Sequence, residues 1–320
     1  MPMVPDKPLI TAVICTYDRY EVLAKAIASA CEQDLPAAQF RLLVIDNSPD
    51  AERSKAFSTR FKHLKHLSFV FEMNAGLSNA RNLAARECGT EFIAFLDDDA
   101  IASPHWLSSI LKAFAAFGDR AMIVGGRVLP IWGAPRPPWL HEKMLGSLSM
   151  VDWGGRLRQV DANEWFCGAN ISFRTQAILE CGGFASDLGR KGSGVALLSN
   201  EEIQLVARIR ARGGSAIYAP LALVEHLVEA KRLTHAWFRK RMAWQATSDY
   251  LMDPDQFAHK SQELWLGLRN YLAARPAHER TIRGLLIDTD DPDLFYWQLG
   301  AIYNLTSGLL DGFEGVELDR

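Results

Sequence analysis

Three consecutive carboxylates, Asp97, Asp98 and Asp99, close the apolar run 92–96 (FIAFL). Gathered at the end of a buried strand, such acids repel one another and raise each other's pKa. A hard divalent cation, Mg2+ or Mn2+, removes that cost through oxygen ligation. The same acids also suit the N-terminus of a helix over 104–117, so the triplet alone leaves both readings open. Asp46-Asn47-Ser48 ends a second apolar run, 42–45 (LLVI), as a ligand-binding cluster or as a plain Asx turn. Gly76 and Arg81 stand before and within a helix start in MNAGLSNARN. There the glycine permits close backbone approach, and the arginine offers a planar fork for phosphate oxygens. Asn200-Glu201-Glu202 opens another helical pattern. Acids favour that position because of the helix dipole, and a carboxylate there can also act as a general base. His226 follows a short apolar run, as a further metal ligand or as a partly buried, satisfied histidine.

The elements that must position these groups alternate. Apolar, β-branched runs at 9–15, 42–45, 67–71 and 92–96 read as strands, and the helical spacing at 20–31, 76–88 and 104–117 fills the gaps between them. Strands of this kind, separated by helices, predict an α/β fold with a mostly parallel sheet covered on both faces. Ligands of such sheets bind at the carboxyl ends of the strands, and Thr16–Arg19, Asp46–Ser48 and Asp97–Asp99 all fall there. Beyond residue 105 the pattern changes. Residues 129–140 (LPIWGAPRPPWL) read as irregular. A strand is expected at 169–173, helices at 175–181 and 201–212, and short strands at 215–218 and 221–224. Residues 187–200, with Gly189, Gly192 and Gly194, read as a loop able to close over a bound substrate. From residue 231 the pattern is helical to about 273 and weaker afterwards. The expected division is a catalytic domain over 1–230, with a substrate-holding half at 1–105 and a second half at 106–230, then a helical C-terminal extension over 231–320.

Composition narrows the classes. The 320 residues are 48% hydrophobic and 23% charged, with a net charge of −3, so a globular core is available and general nucleic-acid binding is not expected. Five scattered cysteines without CxxC spacing read as reduced thiols of a cytoplasmic protein. Neither a leader-like opening over residues 1–7 nor a membrane-length apolar run is apparent. No GxGxxG follows the first strand, and the GxxxxGK[ST] and GxSxG patterns are absent, which weakens those enzyme classes.

Taken in order, six segments resemble the family 2 glycosyltransferases, enzymes of the GT-A fold. They are ITAVICTYDRYEVLAKAIASACEQ, VIDNSPD, NAGLSNARNLA, FLDDDA, FCGANISFRTQAILECGGF and NEEIQLVARIRARGGSAIYAPLALVEH, spanning about residues 8 to 228. The resemblance implies an inverting, metal-dependent transferase that takes a sugar from a nucleotide-sugar donor, a UDP-sugar foremost. The acceptor would be a hydroxyl of a saccharide or lipid-linked glycan in polysaccharide or glycoconjugate biosynthesis. It implies that Thr16, Tyr17, Asp46 and Asn47 hold base and ribose, and that Arg81 faces the diphosphate. Asp97 and Asp98 would contact ribose and base-side groups, and Asp99 and His226 would bind Mn2+ or Mg2+. Glu202 falls on the catalytic-base position, where the family usually has Asp, with Glu201 as the alternative base.

The acceptor side is sparser. Trp132, Trp139, Trp153 and Trp165 could stack on sugar rings or belong to the core, and Trp165 with Asn170, beside the fifth segment, is the preferred acceptor contact. Residues 231–241 (KRLTHAWFRKR) suit peripheral docking on the inner face of an anionic membrane or a helix whose apolar side rests on its own domain. An oligomer is left open. Two competing functions remain: a sugar-phosphate nucleotidyltransferase, whose Gly-rich phosphate loop is missing at residues 15–20, and a non-catalytic nucleotide-sugar-binding module.

Overall fold

The computed structural model describes residues 7–192, 196–256 and 260–314. Residues 1–6, most of the opening read for a leader, and Gly194 of the glycine-rich loop lie outside them. In chain order the first elements are β1 (Ile10–Thr16), α1 (Tyr20–Cys31), β2 (Phe40–Asp46), α2 (Ala51–Thr59), β3 (Leu67–Phe71), α3 (Leu77–Glu87) and β4 (Phe92–Asp97). After them come β5 (Ala100–Ala102), α4 (Trp106–Phe117), β6 (Ala121–Trp132), β7 (Arg158–Gln159), β8 (Asn170–Arg174), α5 (Thr175–Glu180), α6 (Glu201–Ala211) and β9 (Ser215–Val228). Three further α-helices follow: α7 (His235–Met252), α8 (Ser261–Ala274) and α9 (Pro292–Glu314).

Among the described residues the strands form one sheet in the order β3-β2-β1-β4-β8-β6-β9-β5, with β7 on β9. The first four are parallel, and β8 then joins β4 antiparallel. The α/β expectation holds, with the parallel part confined to the N-terminal block. Period-two alternation divides the core. Ile10, Ala12 and Ile14 of β1 face Leu23, Ile27, Trp106 and Phe114 of α1 and α4. Val13 faces the opposite layer, with Ala80 and Ala84 of α3 and Leu205 and Ile209 of α6. Both faces of the parallel block are thus buried, which explains strands that are apolar at nearly every position.

Residues 7–131, 149–192 and 201–227 form one compact unit. A second unit holds 132–148, 196–200 and the described residues beyond 227. The C-terminal extension is therefore joined by two segments that precede it in sequence. Inside this second unit Trp139 packs 4.1 Å from His235, 5.7 Å from Phe238 and 5.2 Å from Phe295, ring centroid to centroid. Trp139 is thus core, not a sugar platform. Leu233 and Phe238 are buried in the same unit, and Arg239 pairs with Asp288 at 2.7 Å. Leu233 and Phe238, on the apolar side of residues 231–241, are thereby used within the fold. No helix among the described residues is long and apolar enough to cross a membrane.

Candidate active site

β4 ends at Asp97, and the chain turns at once into the short β5. β5 pairs antiparallel with β9 in a register that sets Ala100 opposite His226, and the Leu227 N–H donates to the Asp99 carbonyl at 2.9 Å. This pairing carries a histidine far along the sequence onto the acidic turn. His226 Nε2 stands 3.2 Å from Asp99 Oδ1 and 4.0 Å from Asp97 Oδ2. Asp97, Asp99 and His226 can offer one ligand atom each, all within 4.8 Å of one another. Two carboxylate oxygens and an imidazole nitrogen suit Mn2+, and the oxygens suit Mg2+. His226 Nδ1 is buried without a hydrogen-bond partner, so among the contacts described the ring is oriented through Nε2, towards Asp99.

Asp98 sits beside them, buried, accepting from the Thr16 hydroxyl at 2.7 Å. Its carboxyl is pushed up to about 7, chiefly by burial, with the Arg19 guanidinium opposing and Asp99 adding to the rise. Arg19, which the motifs do not single out, donates to Asp98 at 2.8 Å and to Asp99 at 2.7 Å. Charge balance was the available signal: three acids at a strand end need cations, and Arg19 lies in the polar break after β1.

On the other side of the triplet lies Arg81. The sequence suggests an outward fork for phosphate, whereas the structure turns the fork inward. Arg81 is 2% exposed, bonded to Glu201 at 2.8 Å and 3.5 Å from Asp97. Its guanidinium lies 5.6 Å from the ring centroids of both Phe95 and Phe184. Gly168 closes the enclosure, since a Cβ there would collide with the guanidinium. Arg81 therefore links the acidic turn to the start of α6 from within the core. Glu201 is paired with this cation at hydrogen-bond distance, and Glu202 is not. The Glu202 Oε1 accepts from the Gly168 N–H at 3.1 Å, and its Oε2 is buried with no partner. Burial, then the Glu201 charge, pushes its carboxyl up to about 8 against the weaker opposing pull of Arg81.

Asp46 and Asn47 are more committed to the fold than the sequence suggests. Asp46 accepts from the Tyr20 hydroxyl at 2.9 Å and from the Ser48 N–H at 3.0 Å. The Asn47 amide donates to the carbonyls of Glu72 and Asn74, and its oxygen takes the Gly76 N–H at 2.6 Å. Asn47 thus braces the turn that starts α3. Tyr17 is half-buried, with its hydroxyl beside Gly192. Leu188 and Arg190 anchor the described part of the glycine-rich loop, their carbonyls accepting from Ser78 and Leu77.

Asn170, expected beside the acceptor, lies inside the fold. Only 1% exposed, it donates to the carbonyls of Arg127 and Ala222 and accepts from Trp106 Nε1 at 2.9 Å. An amide so occupied is a strut between β6, β9 and α4, with both of its N–H donors committed to the fold. Trp165 is partly buried against the core, edge-on to Trp153, whose Nε1 donates to the Trp165 carbonyl.

A family model for glycosyl transferase family 2 matches residues 11–183, more than half of the chain. The chain belongs to this family. Among its relatives is the glucosyl-dolichyl phosphate glucuronosyltransferase of Haloferax volcanii, 29% identical over 249 residues, covering 76% of this chain and 77% of that protein. Another is the succinoglycan biosynthesis protein ExoM of Rhizobium meliloti, 28% identical over 230 residues, covering 71% and 70%. In fold the chain is similar to the mannosyltransferase PcManGT from Pyrobaculum calidifontis, solved with GDP-Man and Mn2+. That likeness has a TM-score of 0.61 at 18% identity and covers 98% of this chain and 91% of the other. The GT-A fold and the glycosyltransferase class expected from the six segments are thereby shown.

Proposed function

We infer that this glycosyltransferase takes a sugar from a nucleoside-diphosphate donor, a UDP-sugar foremost, and passes it with inversion to a hydroxyl of a saccharide or lipid-linked glycan. The observation that carries the reading is the convergence of Asp97, Asp99 and His226 within 4.8 Å, joined through Arg81 to Glu201, the first of the two glutamates that open α6. A relative named for acting on a glucosyl-dolichyl phosphate and another named for succinoglycan biosynthesis support a lipid-linked or polysaccharide acceptor and a place in glycoconjugate biosynthesis.

In this reading Asp99, Asp97 and His226 hold Mn2+ or Mg2+, and Thr16, Tyr17, Asp46 and Asp98 border the nucleoside. A bound divalent cation supplies charge neutralisation for the departing diphosphate. Glu202 takes the proton of the acceptor hydroxyl as that oxygen attacks the anomeric carbon. One feature favours Glu202 over Glu201: its carboxyl is not tied up in a close ion pair, whereas Glu201 pairs with Arg81 at 2.8 Å. Arg81 acts from behind, setting the spacing between the acidic turn and α6. The nucleotidyltransferase alternative has no counterpart among the relatives described.

The test is thermal unfolding against nucleoside diphosphates, with and without Mn2+. A ligand at about 100 times its Kd adds roughly 2.7 kcal/mol. The expected result is a Mn2+-dependent rise with one diphosphate that Asp99→Ala abolishes. The absence of a shift with every diphosphate would instead favour a different donor chemistry at this sheet edge.

A further inference from the structure

Arg19 occupies a built position. The turn that carries it is held open by Asp18, which adopts φ 55°, a left-handed conformation that Asp tolerates better than most residues. The Asp18 N–H donates to Ser48 Oγ at 2.8 Å, and its carboxylate pairs with Arg53. So constrained, the chain enters α1 with the Arg19 fork spanning two acids, Nη1 on Asp98 and Nη2 on Asp99, at 2.8 and 2.7 Å. The two acid side chains are 7% and 2% exposed, while that of Arg19 is 34% exposed. Carboxylates so buried need a positive partner, and here the partner is itself a group with a route to solvent.

The two oxygens of Asp99 are divided. Oδ2 takes Arg19, and Oδ1 faces His226. A divalent cation bound through Asp99, Asp97 and His226 would share one carboxylate with a guanidinium, and two like charges on one small anion repel. We propose that Arg19 is the resident counter-cation of this site, competing with the divalent ion for Asp99 and released to the donor's diphosphate when both bind. This rests on the metal and diphosphate reading given above. A guanidinium matches paired phosphate oxygens as well as it matches carboxylates. The diphosphate thus receives what the metal displaces, and each ligand tightens the binding of the other.

Mn2+ binding itself is the test, with free Mn2+ followed by electron paramagnetic resonance, with and without UDP or GDP. Without nucleotide, Arg19→Met is expected to bind Mn2+ about ten-fold tighter than the unaltered protein, because the internal competitor is gone. The tightening of Mn2+ binding by nucleotide is expected to shrink in the same variant, an effect that loss of one positive charge from the neighbourhood would not produce alone. Arg19→Lys, which keeps the charge but not the fork, is expected to lie between the two and serves if Arg19→Met does not fold. Equal or weaker Mn2+ binding by the folded variants, or an unchanged nucleotide effect, overturns the role of Arg19 alone. Failure of every protein, unaltered included, to bind Mn2+ overturns the metal reading and this proposal with it.

Discussion

Glu201 and Glu202 are adjacent and chemically alike, yet their surroundings separate them. Arg81 stands 2.8 Å from Glu201 and pairs with it. Among the described residues Glu202 has one backbone N–H and no cation at hydrogen-bond distance, and burial pushes its carboxyl up to about 8. A base works only when ionised, so kcat is expected to rise with pH through about 8 and level off above it. Glu202→Gln is expected to lower kcat by about 10²- to 10⁴-fold, the usual contribution of a general base, and to remove that rise. Rates measured from about pH 6 to 9.5 on both proteins decide the matter, and a variant that keeps the rise would move the base elsewhere.

At the scale of elements, the site depends on how the antiparallel half of the sheet is tied to the parallel half. β5 has only three residues, yet its register with β9 is what brings His226 to Asp99. The Asn170 amide, at the start of β8, ties β6, β9 and α4 together. Asn170→Leu keeps a similar bulk but leaves two carbonyls and an indole N–H buried without partners. Each such group costs about 1–3 kcal/mol, so a loss of at least about 3 kcal/mol is expected in urea unfolding. An unchanged midpoint and slope would show that water replaces the amide there.

For the molecule as a whole, Glu202 also links stability to pH. Its folded pKa is raised above its ordinary value of 4.5 to about 8. Between those values the folded protein holds a proton that the unfolded chain releases. The stabilisation from this group is therefore complete below about 4.5 and lost as pH rises through about 8. Glu202→Gln, which cannot ionise, is expected to flatten the decline, so the difference in stability between the variant and the unaltered protein should grow in the variant's favour from about pH 5 to 9. Urea titrations at several pH values measure this, and parallel curves would mean that the Glu202 carboxylate is solvated in the folded state.

The sequence by itself determined the parallel block. β1 to β4 are short β-branched runs, each cut by polar residues, and both their boundaries and the gathering of Asp46 and Asp97–Asp99 at one edge follow from local pattern. The family was legible too, because six weak segments in a fixed order are specific where each alone is not. What local pattern could not reach was anything decided by pairing across long separations. β6 runs through Pro130 into a stretch that reads as irregular, and β9 is continuous through Pro220, because neighbouring strands hold residues that punctuate isolated chains. α9, twenty-three residues long, falls where the sequence pattern weakens, and its interior packs within the helical unit. The side-chain hydrogen bonds of Arg19, Arg81 and Asn170 reach from 43 to 120 positions along the chain. Only the tertiary structure decides whether an arginine fork faces a ligand or a carboxylate, because a buried charge turns to whichever countercharge the fold has already placed beside it.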